Sequence, residues 1–186
     1  MCICHYKRLS YPSDVTDAEW AILEPLVPAA KPGGRPLEIE RRELVNAILY
    51  ILCSGCPWRL LPHDFPRWFT VYSYFRRWKR DGTWEGIHHA LRRELRVQVG
   101  REPEPSAAVI DSQSVKTSPV RGDARDYDAG KKIWGRKRHL LVDTLGLLIC
   151  VKVLAANITD REGGKVLLTA LSGKLPRLLL IWADSG

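Results

Sequence analysis

Ala107-Ala-Val-Ile-Asp111 and Leu178-Leu-Leu-Ile-Trp-Ala-Asp184 share one pattern, a short apolar run that ends in a carboxylate. Such runs, bounded by polar residues, read as buried strands. Between them, Arg138 to Asp143 and Leu147 to Ala155 flank a Thr144-Leu-Gly146 turn, the signature of an antiparallel hairpin. Thr159 and Glu162 are spaced to cap a helix running to about Leu171. The order strand, hairpin, helix, strand allows a right-handed crossover that sets the last strand parallel to the first. If these two are neighbours, Asp111 and Asp184 emerge at one end of the sheet, where open α/β sheets hold their ligands.

Upstream the periodicity changes from two to three and four. Residues 14–99 read as helical, residues 107–186 as mixed α/β, residues 1–13 as a tail, and the Pro-, Gly- and charge-rich 100–106 as a linker. Thr16 and Glu19 form a capping box ahead of Trp20, Leu23 and Val27, and Pro28 ends that helix. Lys31 to Pro36 is a loop, and Glu43 to Cys53 is apolar nearly all round, which suits a helix buried on most faces and ended by Gly55 and Pro57. After Pro66, a third helix carries Trp68, Val71, Tyr72, Phe75 and Trp78 as one apolar stripe. Its other side offers Arg67, Thr70, Tyr74 and Arg77, flanked by Ser73, Arg76 and Arg80. A recognition helix needs that division, with aromatics anchoring it and Arg, Thr and Ser left for phosphates and base edges. With the preceding helix and the turn at Pro57 to Pro62 it would make a helix-turn-helix-like unit. The same pattern also describes an amphipathic helix with a solvated basic face. A fourth helix starts near Thr83 and uses Trp84, Ile87, His88, Leu91 and Leu95.

The chain has 186 residues, 45% of them hydrophobic, enough to build a core and to exclude wholesale disorder. Its 29 Lys and Arg against 21 Asp and Glu give a net charge of +8, which favours polyanionic partners. The longest apolar run, Ala47 to Cys53, is far shorter than a membrane span, so the expectation is a soluble, cytoplasmic protein with no membrane partner. Five scattered cysteines do not resemble a secreted disulfide framework. Cys53 and Cys56 have redox spacing without a βαβ context, Cys2, Cys4 and His5 lie on the tail, and His88 and His89 read as ordinary helix residues rather than metal ligands.

Two carboxylates rising side by side from apolar strands repel and are poorly solvated unless cations or protons neutralise them. Mg²⁺ or Mn²⁺, hard and oxygen-seeking, binds in this way through one or two carboxylates plus water and phosphate. A pair of such ions supports phosphodiester cleavage or strand transfer. Lys116, Arg121, Arg125, Lys131, Lys132, Arg136, Lys137 and Arg138 concentrate positive charge nearby for holding DNA. An aspartate at a strand end is more often a cap or turn residue, and the pattern alone leaves both readings open.

Thr16-Asp-Ala-Glu-Trp20, Gly34-Arg-Pro36, Asn46-Ala-Ile-Leu-Tyr50, Gly55-Cys-Pro-Trp-Arg59, Tyr74-Phe-Arg-Arg-Trp78, Asp81-Gly-Thr-Trp84, Ile110-Asp-Ser-Gln-Ser-Val-Lys-Thr117, Gly135-Arg-Lys-Arg-His139, Asp143-Thr-Leu-Gly146 and Ala183-Asp184 occur in this order. In combination they resemble the DDE-class insertion-sequence transposases of the group whose type member is insertion sequence five. That resemblance implies a helical DNA-binding domain followed by a ribonuclease-H-like mixed sheet, with Asp111 and Asp184 as the first two catalytic metal ligands. It also implies double-stranded DNA, as transposon terminal inverted repeats and target, for a partner, and a homodimer or higher in the active complex. Family members take a third ligand, a Glu, from a later helix, whereas this sequence stops at Gly186 and has Ser185 where a Gly is expected. The expectation is an incomplete ribonuclease-H-like domain, inactive in cleavage alone, whose remainder would come from a longer or frameshifted product. A DNA-binding regulator without catalysis and a sequence-independent nuclease are the competing classes.

Overall fold

The computed structural model describes residues 8–29, 39–117 and 125–183. The chain divides into two compact units, Met1–Ala90 and Leu91–Gly186.

In the first unit, α1 (Asp17–Leu23) begins with the expected reciprocal capping box of Thr16 and Glu19 and runs into a 3-10 turn at Glu24–Leu26. The expected loop at 31–36 lies outside the described residues. α2 (Arg41–Ser54) buries Leu44, Val45, Asn46, Ala47, Ile48 and Ile51, and Gly55 ends it in the left-handed region at φ 68°, which glycine adopts without strain. Burial is one-sided rather than all round, because Leu52 and Cys53 in the last turn are exposed. Residues 8–15 dock on this helix rather than trailing as a tail. Arg8 bonds Asp14 at 2.7 Å and Glu43 at 2.9 Å and lies over the Phe65 ring at 4.1 Å, and the buried Asn46 amide accepts from Val15 N–H at 3.0 Å.

α3 (Trp68–Arg80) buries Val71 and Trp78, and its Tyr72 and Phe75 each pack on Trp58 with ring centroids 5.1 Å apart. Trp68, expected on that stripe, is more than a third exposed. Residues 55–67, with a 3-10 turn at Trp58–Leu60, separate α2 from α3, a longer connection than the three- or four-residue turn of a tight helix-turn-helix.

α4 (Thr83–Gln98) continues from the first unit into the second. The apolar stripe expected along it holds at Ile87 and fails at Leu95, which is exposed, while Arg92 and Arg96 are buried. Distant partners explain the reversal. Arg92 pairs with Glu104 at 3.1 Å, and Arg96 donates to Glu102 O at 2.8 Å and pairs with the buried Asp143. The stretch 100–106, expected as a linker, is tied down by the same bonds and contains the fully buried Pro105.

The second unit is one mixed sheet with a helix on it. β1 (Ala107–Lys116) runs antiparallel to β3 (Ile133–Asp143) and parallel to β5 (Leu180–Ala183). The other edge of β3 carries β4 (Leu148–Ala155) and, at its start, the short unexpected β2 (Asp126–Asp128). The hairpin, the Thr159–Glu162 capping box of α5 (Asp160–Leu171) and the parallel pairing of first and last strands agree with the sequence reading. Two strand readings are corrected. β1 continues past residue 110, so Asp111 lies within the strand rather than at its end. β5 is not a buried strand: Leu180 and Trp182 are about half exposed, because only one face of the sheet is covered among the described residues. On that face Ala108, Leu141, Ile149 and Leu167 form the core, joined by Ile110, Leu171 and Ile181.

Candidate metal and nucleic-acid face of the sheet

Side chains alternate across a strand, so neighbours in β1 serve opposite faces. Ala108 and Ile110 enter the core, and Ser112 and Ser114 continue on that side, bonding Asp160 and Asp128. Val109, Asp111 and Gln113 therefore face the other way, and all three are exposed. Registered partners share a face, so the open side gathers Leu140 and Val151 beside Asp111, Arg138 and Val153 beside Gln113, and Arg136 beside Val115. Asp111 Oδ1 accepts from Ser112 N–H at 2.7 Å. The parallel register sets Val109 against Trp182 and Ile110 against Ala183. Asp184 lies outside the described residues.

The covered face is a polar cluster that the sequence reading missed. Lys137 Nζ lies 3.1 Å from Asp160 and 3.6 Å from Asp128. Asp128 is held down to a pKa of about 2, first by the Ser114 hydroxyl, then by the Lys131 N–H, with Lys137 adding to these against its own desolvation. Asp160 is also lowered, chiefly by the Ser112 hydroxyl and then by Lys137. His139 is fully buried, and burial pushes its imidazole below its ordinary value, with Lys137 acting in the same direction and Asp160 opposing. Its Nε2 has no hydrogen-bond partner among the described residues. The ring fills the space over Gly163, where an added Cβ would come within 2.0 Å of it. Strand parity was the available signal, since Lys137 and His139 alternate with Arg136 and Arg138.

Lys137, expected among the DNA contacts, is corrected by this geometry: its side chain is buried between two carboxylates. Lys116, Lys132 and Arg138 are exposed, Arg136 is half-buried, and Arg121 lies outside the described residues. In the first unit Arg67 at the N-cap of α3 and Arg76, Arg77 and Arg80 along it are exposed, and Thr70 is half-buried.

For a hard cation, Asp111 is a suitable donor, an exposed carboxylate on the face that carries Arg138, with no ion-pair partner among the described residues. Asp143 and Asp160 are not available to share it, because Arg96 and Lys137 hold them. No cluster of three His, Cys, Asp or Glu side chains poised for a metal occurs among the described residues.

Residues 15–88 match the family model "Putative transposase of IS4/5 family", and residues 102–186 match the model "Transposase DDE domain". The chain belongs to the IS4/5 family of transposases. It is 31% identical over 109 residues to the "Insertion element IS402 uncharacterized 16.2 kDa protein" of Burkholderia cepacia, across 55% of this chain and 72% of that protein. No solved structure matches. Helices followed by a mixed sheet are consistent with the ribonuclease-H-like architecture of a DDE transposase. Membership implies DNA as the partner and dependence on a divalent metal. No helix among the described residues is long and apolar enough to cross a membrane.

Proposed function

We propose that this insertion-sequence transposase grips transposon-end DNA through the exposed arginines of α3, in a helix-turn-helix-like unit with α2, and presents Asp111 and Asp184 as a pair of metal-holding carboxylates on the open face of the sheet. The supporting observation is the register of β5 on β1. Ile110 pairs with Ala183, so the parallel ladder brings the last described residue of β5 beside the residue that precedes Asp111, the neighbourhood a carboxylate pair would need. Mg²⁺ or Mn²⁺ bound there would neutralise the two carboxylates and polarise a scissile phosphodiester. Arg138, two residues along β3 from the partner of Asp111, would hold the phosphate backbone against that edge. Strand cleavage and transfer at two transposon ends then require at least a dimer.

The test is the position of a paramagnetic ion. Mn²⁺ titrated into the isotopically labelled protein should first broaden the amide resonances of residues 110–112 and 182–184. Asp111→Asn should abolish this localised broadening with the rest of the spectrum unchanged. Broadening centred on Asp128 and Asp160, or persisting in the variant, removes the proposed site.

A further inference from the structure

The open face carries a second feature at the far end of β3. Tyr127 of β2 and Trp134 of β3 are registered partners on the side of the sheet that holds Arg138 and Asp111, with ring centroids 5.5 Å apart. Tyr127 is 39% and Trp134 53% exposed, so both rings present open surface on this face. The Arg125 guanidinium lies 5.9 Å from the Trp134 centroid, and Lys132 is exposed in the intervening turn. On the reverse side, Asp128 is fixed by Ser114, by Lys137 and by the Lys131 N–H, so β2 is pinned to the sheet and the rings are held in place. Trp134 and Leu140, the partner of Asp111, are six residues apart on one strand, about 20 Å. Arg136 and Arg138 fall between them on the same face.

We infer that Tyr127 and Trp134 form a stacking platform for an unpaired base of the DNA strand whose backbone follows Arg136 and Arg138 toward Asp111. Exposed aromatic rings beside arginines suit this ligand chemically: the cations take phosphates, and every base offers a π-face to a ring whatever the sequence. A blunt duplex, with its bases stacked on one another, engages the cations but not the rings. The inference rests on DNA as the bound polymer, and the measurement separates the two.

Trp134→Ala, Trp134→Phe and the parent protein are titrated with a short oligothymidylate, with a blunt duplex of the same length, and with a single strand carrying one 2-aminopurine. Stacking of one base contributes about 1–3 kcal/mol, so Trp134→Ala should weaken single-strand binding roughly 5- to 150-fold. Trp134→Phe should stay close to the parent, and duplex affinity should change less than about threefold in both variants. The 2-aminopurine fluorescence should be quenched by the parent and not by Trp134→Ala. Unchanged single-strand affinity in Trp134→Ala, or parallel losses for single strand and duplex, overturns the platform while leaving DNA binding intact. A parent protein that binds neither DNA overturns both readings.

Discussion

Lys137 and Arg138 are adjacent on β3 and meet opposite fates. Lys137 lies under α5 between Asp128 and Asp160, whereas Arg138 stands exposed opposite Gln113 on the face that carries Asp111. One layer of backbone separates a face where Lys137 is neutralised by two carboxylates from one where Arg138 and Asp111 stand exposed. The covered face shows how a cation and two carboxylates can be placed beside a core, because each has a complement within hydrogen-bond reach. On the open face Asp111 and Arg138 have no such mutual pairing, and Val151, Val153 and Trp182 are exposed around them. A site for a divalent ion and a polyanion needs this second condition.

The covered face is most sensitive at Gly163. An alanine there places a Cβ within 2.0–2.5 Å of three ring atoms of His139, which cannot retreat from a fully buried position. Overpacking costs typically about 1–3 kcal/mol, and we expect the upper end in a urea unfolding curve, outweighing the roughly 1 kcal/mol that alanine gains over glycine in a helix. His139→Ala in the same chain should restore part of the loss. A single variant as stable as the parent would show that α5 does not press on His139.

Lys137 and Arg138 should separate stability from DNA binding. Lys137→Met leaves the buried Asp128 short of a partner and should lower unfolding stability by about 1–3 kcal/mol, without altering the salt dependence of DNA binding. Arg138→Ala should change stability by no more than about 0.5 kcal/mol and reduce the slope of log affinity against log salt by about one. The opposite assignment of the two effects would mean that the faces are reversed.

Acidification gives the smallest effect, in two windows. Burial holds the folded-state pKa of His139 below that of the unfolded chain, so on falling below about pH 6.5 the unfolded state takes up the proton first and stability declines. His139→Ala should flatten that decline. Asp128, lowered from 3.8 to about 2, contributes stability that is complete above pH 4 and lost as the pH falls toward 2, and Ser114→Ala should weaken that dependence. Melting midpoints that are flat from pH 7 to 5 in the parent would argue that His139 is hydrated.

Local signals in the sequence were strong wherever a short stretch settles its own conformation. Both capping boxes, Thr16 with Glu19 and Thr159 with Glu162, are present as the spacing required, and so are the β3–β4 hairpin and the parallel pairing of the first and last strands. The failures came where a residue's environment is set by segments far along the chain. Leu95 looked like core and is exposed; Arg92 and Arg96 looked like surface and are buried, because Glu104 and Asp143 reach them. Residues 100–106, read as a linker, hold the partners of these arginines and the buried Pro105.

The capping boxes and the β3–β4 hairpin were legible in the sequence because hydrogen bonding within a few residues and the spacing of apolar side chains are encoded locally. Tertiary structure alone decided that β1 runs on through Asp111, that this carboxylate faces outward beside Arg138, and that Lys137 is sealed beneath α5. A strand's pattern does not say which side will be covered. That choice is made when α5 and the hairpin close on one face, and a shift of one residue in register would exchange every side chain between them.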